Sequence, residues 1–122
     1  KYYFEKLKNH SSIKHIFVHG YDYIRTDHDA DKIKNGWVNK YMIQYGIRNS
    51  DDRDKVIKYL IDNFNDDLEQ LTNKHENATY IDIRNLMINR DEWFDEIHPN
   101  DEGFAKVGNK FIEAIETNKK NM

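Results

Sequence analysis

Two short β-branched runs, Ile13 to Val18 and Thr79 to Ile83, stand far apart in the chain with a strong helical pattern between them. Strands joined by a tight turn make an antiparallel hairpin, whereas strands separated by a helix need a crossover and run parallel. The helical pattern is the clearest in the sequence. Ile57, Leu60, Ile61, Phe64, Leu68 and Leu71 fall on one face at 3.6-residue period. Ser50 reads as its N-cap, and Asp51 and Asp52 suit the positive end of its dipole.

Three further helices flank this unit. Tyr2, Tyr3, Phe4 and Leu7 mark a short one, broken at Ser11 and Ser12. Trp37, Val38, Tyr41, Met42 and Tyr45 mark a second, closed by Gly46. Pro99 and Asn100 announce the last, with Phe104, Val107, Phe111, Ile112 and Ile115 as its apolar face and Lys119 and Lys120 at its C-terminal end. The order is helix, strand, helices, strand, helix, the α/β pattern of a parallel sheet. Parallel sheets are covered on both faces, and two strands rarely suffice for one. The expectation is that residues 1–122 are a single-domain fragment, the C-terminal part of something larger. With a sheet edge and apolar faces open, such a fragment is expected to self-associate.

Composition narrows the function. At 122 residues the prior is one domain. Nineteen basic against 22 acidic side chains give a net charge of −3, which offers no basic face for phosphate backbones and argues against a nucleic-acid partner. No apolar run approaches a membrane span. Zero cysteines exclude a disulfide framework, a thiolate metal site and a cysteine nucleophile, and leave the compartment open, with a cytoplasmic setting mildly preferred. Residue 1 is Lys, and no charged-then-apolar leader follows it, so any targeting signal is expected upstream.

Chemistry concentrates in Trp93-Phe94-Asp95-Glu96-Ile97-His98-Pro99-Asn100. With 14 Asp and 6 His, chance alone supplies about 0.7 Asp-x-x-His pairs, so context carries the argument. This pair follows the last strand and precedes the only proline, where ligands of α/β sheets gather beyond the carboxyl ends of strands. A histidine that takes a proton from a hydroxyl needs one ring nitrogen in the correct tautomer, and a carboxylate on the other nitrogen fixes it. On spacing alone, an Asp capping a turn and a surface His before a helix fit equally well. Glu96 lies off the motif and is expected to be replaceable.

The block Asp95-x-x-His98-Pro99, followed by a helix, resembles the last motif of the SGNH (GDSL-type) hydrolases. The segment from Ile16 to Tyr23 is similar to a later central strand and active-site loop of some members. The resemblance implies a three-layer α/β/α flavodoxin-like sandwich with a parallel sheet, of which this chain is the C-terminal half. It implies a serine ester hydrolase acting on a small ester or an acylated carbohydrate or lipid, without metal or organic cofactor, in which Asp95 orients His98 as general base. The family's Gly-Asp-Ser nucleophile motif is absent: Ser11, Ser12 and Ser50 lack that context. The Gly and Gly-x-Asn-Asp blocks that supply oxyanion donors are absent too. All three belong to the N-terminal half of the fold, so the nucleophile is expected upstream and the fragment alone is expected to be inactive.

Other residues stand as candidates around the pair. His19, Gly20, Tyr21 and Trp37 would line the substrate site. His19 with Asp22 follows a strand end, and a turn built on Gly20 explains them equally well. Asp27, Asp29 and Asp31 mimic the start of a calcium loop, but Lys32 and Val38 stand where Gly and Glu belong, which favours a solvated acidic loop. His10, His15 and His75 read as surface residues. The alternative to an enzyme is a non-catalytic α/β module that binds a ligand or partner through the Gly20 to Gly36 loop.

Overall fold

The two apolar runs do pair in parallel. The computed structural model describes residues 1–26 and 36–122; the Asp27, Asp29 and Asp31 run lies outside them. In chain order the elements are α1 (Tyr2–Lys8), β1 (Ile16–His19), α2 (Asn39–Gln44), α3 (Ser50–Thr72), β2 (Ala78–Ile81), a 3-10 turn (Arg90–Glu92) and α4 (Asp101–Lys120). The register sets Ile16 against Ala78, Phe17 against Thr79, Val18 against Tyr80 and His19 against Ile81. Among the described residues these two strands form the whole sheet.

Alternation along the strands sorts the neighbours. Phe17 and Ile81 point one way, into a core with Ile83, Met87, Trp93 and Val107. The His19 ring meets Phe111 of α4 edge-on on that same side, at 5.6 Å between centroids. Tyr80 points the other way and donates to Asn65 Oδ1 of α3 at 2.5 Å. Helices α3 and α4 therefore cover opposite faces of a small parallel α/β unit. A second core of Met42, Ile57 and Ile61 joins α2 to α3, with Tyr23, Ile24 and Val38 packed against it.

Several local expectations need revision. Asn49, not Ser50, caps α3: its side chain accepts from Asp51 N. Leu60, Phe64, Phe104 and Ile112 belong to the apolar faces read from the sequence, yet each is about half exposed. Their helices have more apolar surface than a two-stranded sheet can cover. His75 is half-buried against the Phe4 ring and pairs with Glu5, and His15 bonds Thr79 Oγ1 at 2.8 Å, so neither is a bare surface residue.

Gly20 shows why a side chain is excluded at the end of β1. A Cβ there would run into the Asn65 amide, whose Nδ2 also donates to the Tyr21 and Ile61 carbonyls. Gly103 does the same for α4: an added Cβ would sit 2.5 Å from the Glu92 carbonyl oxygen and 2.7 Å from Pro99 Cβ. The absence of that atom lets α4 close onto the segment carrying Asp95 and His98.

Candidate active site

The 93–99 segment is a closed loop. Trp93 and Pro99 form an isolated antiparallel bridge, and Asn100 N donates to the Glu92 carbonyl at 3.0 Å. Trp93 is 8 % exposed in the core, and its indole N–H donates to the Met87 carbonyl at 3.0 Å. Truncating such a side chain to Ala costs about 3–5 kcal/mol, so Trp93 fastens one end of the loop. Asn100 fastens the other as N-cap of α4, accepting from Glu102 N and Gly103 N at 3.0 and 3.1 Å. Between these anchors the His98 carbonyl accepts from Phe94 N at 2.9 Å, turning the chain back on itself.

That turn brings Asp95 and His98 together. Asp95 Oδ1 accepts from Ile97 N at 2.8 Å and His98 N at 2.7 Å, and Oδ2 lies 2.8 Å from His98 Nδ1. One carboxylate oxygen is spent on shaping the loop and the other on the ring. Desolvation pushes the Asp95 carboxyl up, but the bonds from the His98 backbone, the His98 ring and the Ile97 backbone outweigh it and hold it below its ordinary value. An ionised carboxylate beside Nδ1 assigns the proton to that nitrogen and leaves the lone pair on Nε2. The His98 side chain is 54 % exposed, against 29 % for Asp95. The arrangement is an oriented imidazole that a substrate can reach, with its carboxylate partly sheltered behind it.

Of the four residues expected to line the site, Trp37 touches His98. The two rings meet edge-on, 6.0 Å between centroids, and Trp37 is itself 59 % exposed. His19, Gly20 and Tyr21 spend their contacts elsewhere. The His19 ring lies on Phe111, with Nδ1 2.7 Å from the Gly20 carbonyl; Gly20 packs under Asn65; Tyr21 lies against Phe64 at 5.5 Å. On the flank of the loop, Phe94, Pro99 and Phe104 line an open groove of about 620 Å³ with Asp91, Asp101 and Glu102 at its rim. A second cleft of about 430 Å³ lies beside Tyr23 to Thr26, bounded by Asp54, Lys58 and Asn85. Among the described residues, no group of three or more His, Asp or Glu is placed to hold a metal ion.

Two acidic residues do more than their sequence suggests. Asp22 is 5 % exposed; its Oδ1 accepts from Tyr23 N and Asn85 N, both at 2.7 Å, and its Oδ2 from Met87 N at 2.8 Å. It ties the loop after β1 to the loop after β2, where Asn85 takes a left-handed backbone at φ 59°. Glu96, expected to be replaceable, is 3 % exposed and accepts from Trp37 N, Val38 N and Asn39 N. The signal for it lay in α2: its N-cap is Val38, which has no side-chain oxygen to offer, so the helix start needs an acceptor from elsewhere. No family model, no curated protein and no solved structure matches the chain.

Proposed function

We propose that this chain carries the Asp-His pair of an SGNH-type serine ester hydrolase, within a flavodoxin-like α/β/α sandwich completed by residues outside it. The observation that carries the reading is the Asp95–His98 geometry: Oδ2 2.8 Å from Nδ1, Oδ1 locked by two backbone N–H groups, and the imidazole facing solvent. A structural turn would need only the Oδ1 bonds. The second oxygen supports a histidine held for proton transfer.

In this mechanism a serine upstream of Lys1 attacks an ester carbonyl, and His98 Nε2 takes the hydroxyl proton. Asp95 stabilises the imidazolium that forms, and His98 returns the proton to the leaving alkoxide. Water then repeats the sequence on the acyl-enzyme, with His98 again as base. The substrate is a small-molecule ester or an acylated carbohydrate or lipid.

A fluorophosphonate tests the reading in the full-length protein. It should label one upstream serine, and His98→Gln should abolish both labelling and turnover of an activated ester. Labelling indifferent to His98, or a full-length protein without ester turnover, would overturn the assignment. The cleft beside Tyr23 to Thr26 supports the second reading, a non-catalytic module binding a ligand or partner through the stretch from Gly20 to Gly36, of which residues 27–35 lie outside the described residues. A Gly-Asp-Ser after a strand upstream, with a later Gly-x-Asn-Asp, favours the enzyme; their absence favours the module.

A further inference from the structure

Resting on the hydrolase reading, we propose that Glu96 is a positioning residue that holds Trp37 against His98 as one wall of the site. The neighbouring carboxylates Asp95 and Glu96 would then divide the work, the first orienting the imidazole and the second fixing what stands beside it.

The geometry is specific. Glu96 Oε2 accepts from Trp37 N at 2.7 Å and Val38 N at 2.8 Å, and Oε1 from Asn39 N at 3.3 Å. These three consecutive N–H groups lead into α2: Trp37 precedes the N-cap, Val38 is the N-cap with an aliphatic side chain, and Asn39 is the first helical residue. A buried carboxylate is costly unless its lone pairs are filled, and unfilled helix-start N–H groups are costly too, so each answers the other. Glu96 also accepts through its backbone: Arg25 N donates to its carbonyl at 2.9 Å. The Asn39 amide continues the connection, donating to the Arg25 carbonyl at 2.6 Å and accepting from Arg53 Nε at 3.1 Å. Asn39 and Arg53 are 0 % and 7 % exposed, so the loop that presents the exposed His98 ring is wired through Glu96 to a buried polar network on α2 and α3.

Among the described residues, Trp37 has no comparable anchor of its own. It is 59 % exposed, and its backbone N–H ends on Glu96 while its ring ends on His98. The indole position is therefore set by the residue two before the histidine it touches. An exposed aromatic beside a general base is placed to meet the apolar or sugar portion of a bound ester, so Glu96 governs substrate fit more than proton transfer.

The test uses the full-length protein labelled with 5-fluorotryptophan, the Trp37 resonance being identified by its loss in Trp37→Phe. His98→Gln removes the ring that Trp37 meets, so that resonance should move on the substitution. Asp95 is the carboxylate bonded to the ring, so Asp95→Asn is run beside it as the control for direct effects of the charge partner. In the Glu96→Gln background His98→Gln should leave the Trp37 resonance in place while the circular dichroism stays native, and Glu96→Gln alone should raise KM more than it lowers kcat. A Trp37 resonance that still follows His98 in Glu96→Gln, or that does not follow it in the parent, overturns the proposal.

Should Glu96→Gln fail to fold, Glu96→Gln with Val38→Thr supplies a local hydroxyl cap for α2. Recovery of the fold without recovery of the Trp37 response supports positioning; recovery of both reduces Glu96 to a helix cap. The fluorine readout needs no substrate, so it separates the two claims. A coupled Trp37 in a protein without esterase activity sinks the hydrolase and leaves the contact. An active enzyme with an indifferent Glu96 does the reverse.

Discussion

Asp22 and Asp95 are two aspartates in loops at the same end of the molecule, and each carboxylate accepts three hydrogen bonds. Asp22 accepts all three from backbone N–H groups and is buried. Asp95 accepts two from backbone and the third from an exposed imidazole. The difference lies in what the last lone pair is used for. A carboxylate whose bonds all come from backbone amides holds loops together. One that leaves an oxygen for a titratable ring couples loop shape to proton affinity.

The largest effect should come from the reachable member of the pair. His98→Ala in the full-length protein should lower kcat by on the order of 10⁵–10⁶, with little change in melting temperature because the ring is half exposed. A small kcat loss would place the base elsewhere. Asp95→Asn should come next, at on the order of 10⁴ in kcat, because the amide offers N–H to Nδ1 and selects the opposite tautomer. Its Oδ1 still accepts from Ile97 and His98, so urea unfolding should register less than about 1 kcal/mol. Comparable losses of stability and activity would erase the contrast with Asp22.

Asp22→Ala should behave in the opposite sense. Burial leaves the Asn85 and Met87 N–H groups unpaired, and the chain should lose about 3 kcal/mol in urea unfolding. If Asp22→Ala unfolds with the parent midpoint, the tie between the two loops carries no energy.

Acid should separate carboxylates by their partners with a smaller effect. Asp62 is held down to about 2 from 3.8, chiefly by the Lys58 bond and then by Tyr23. A depressed folded value means its contribution is present above the unfolded value and is lost as pH falls toward about 2. Asp95, also lowered, has the same sign. Circular dichroism from about pH 5 to 2 should show an acid limb that is shallower in Asp62→Asn. An unchanged limb would assign the acid transition to other groups.

The element order, the parallel pairing and the long helix were legible in the residues because periodicity is a local property. The spacing that pairs Asp95 with His98 was equally legible, since a three-residue turn needs no distant partner, and Pro99 and Asn100 announce the helix behind it. Burial was not. Phe104 and Ile112 match the helical period as well as Val107 does, yet only Val107 meets the core, because the sheet they would cover has two strands.

The fates of the acidic residues were decided by tertiary structure alone. Nothing local distinguishes Asp22 or Glu96 from a solvated carboxylate. Their donors lie at Asn85 and Met87 in one case and at Trp37 to Asn39 in the other, tens of residues away along the chain. The sequence by itself determined which residues can be strand, helix and turn, and it set Asp95 within reach of His98. Which carboxylates are buried, and which backbone groups they satisfy, was decided only when distant loops met, because hydrogen-bond demand at a helix start or a strained turn is met by whatever acceptor the packing delivers.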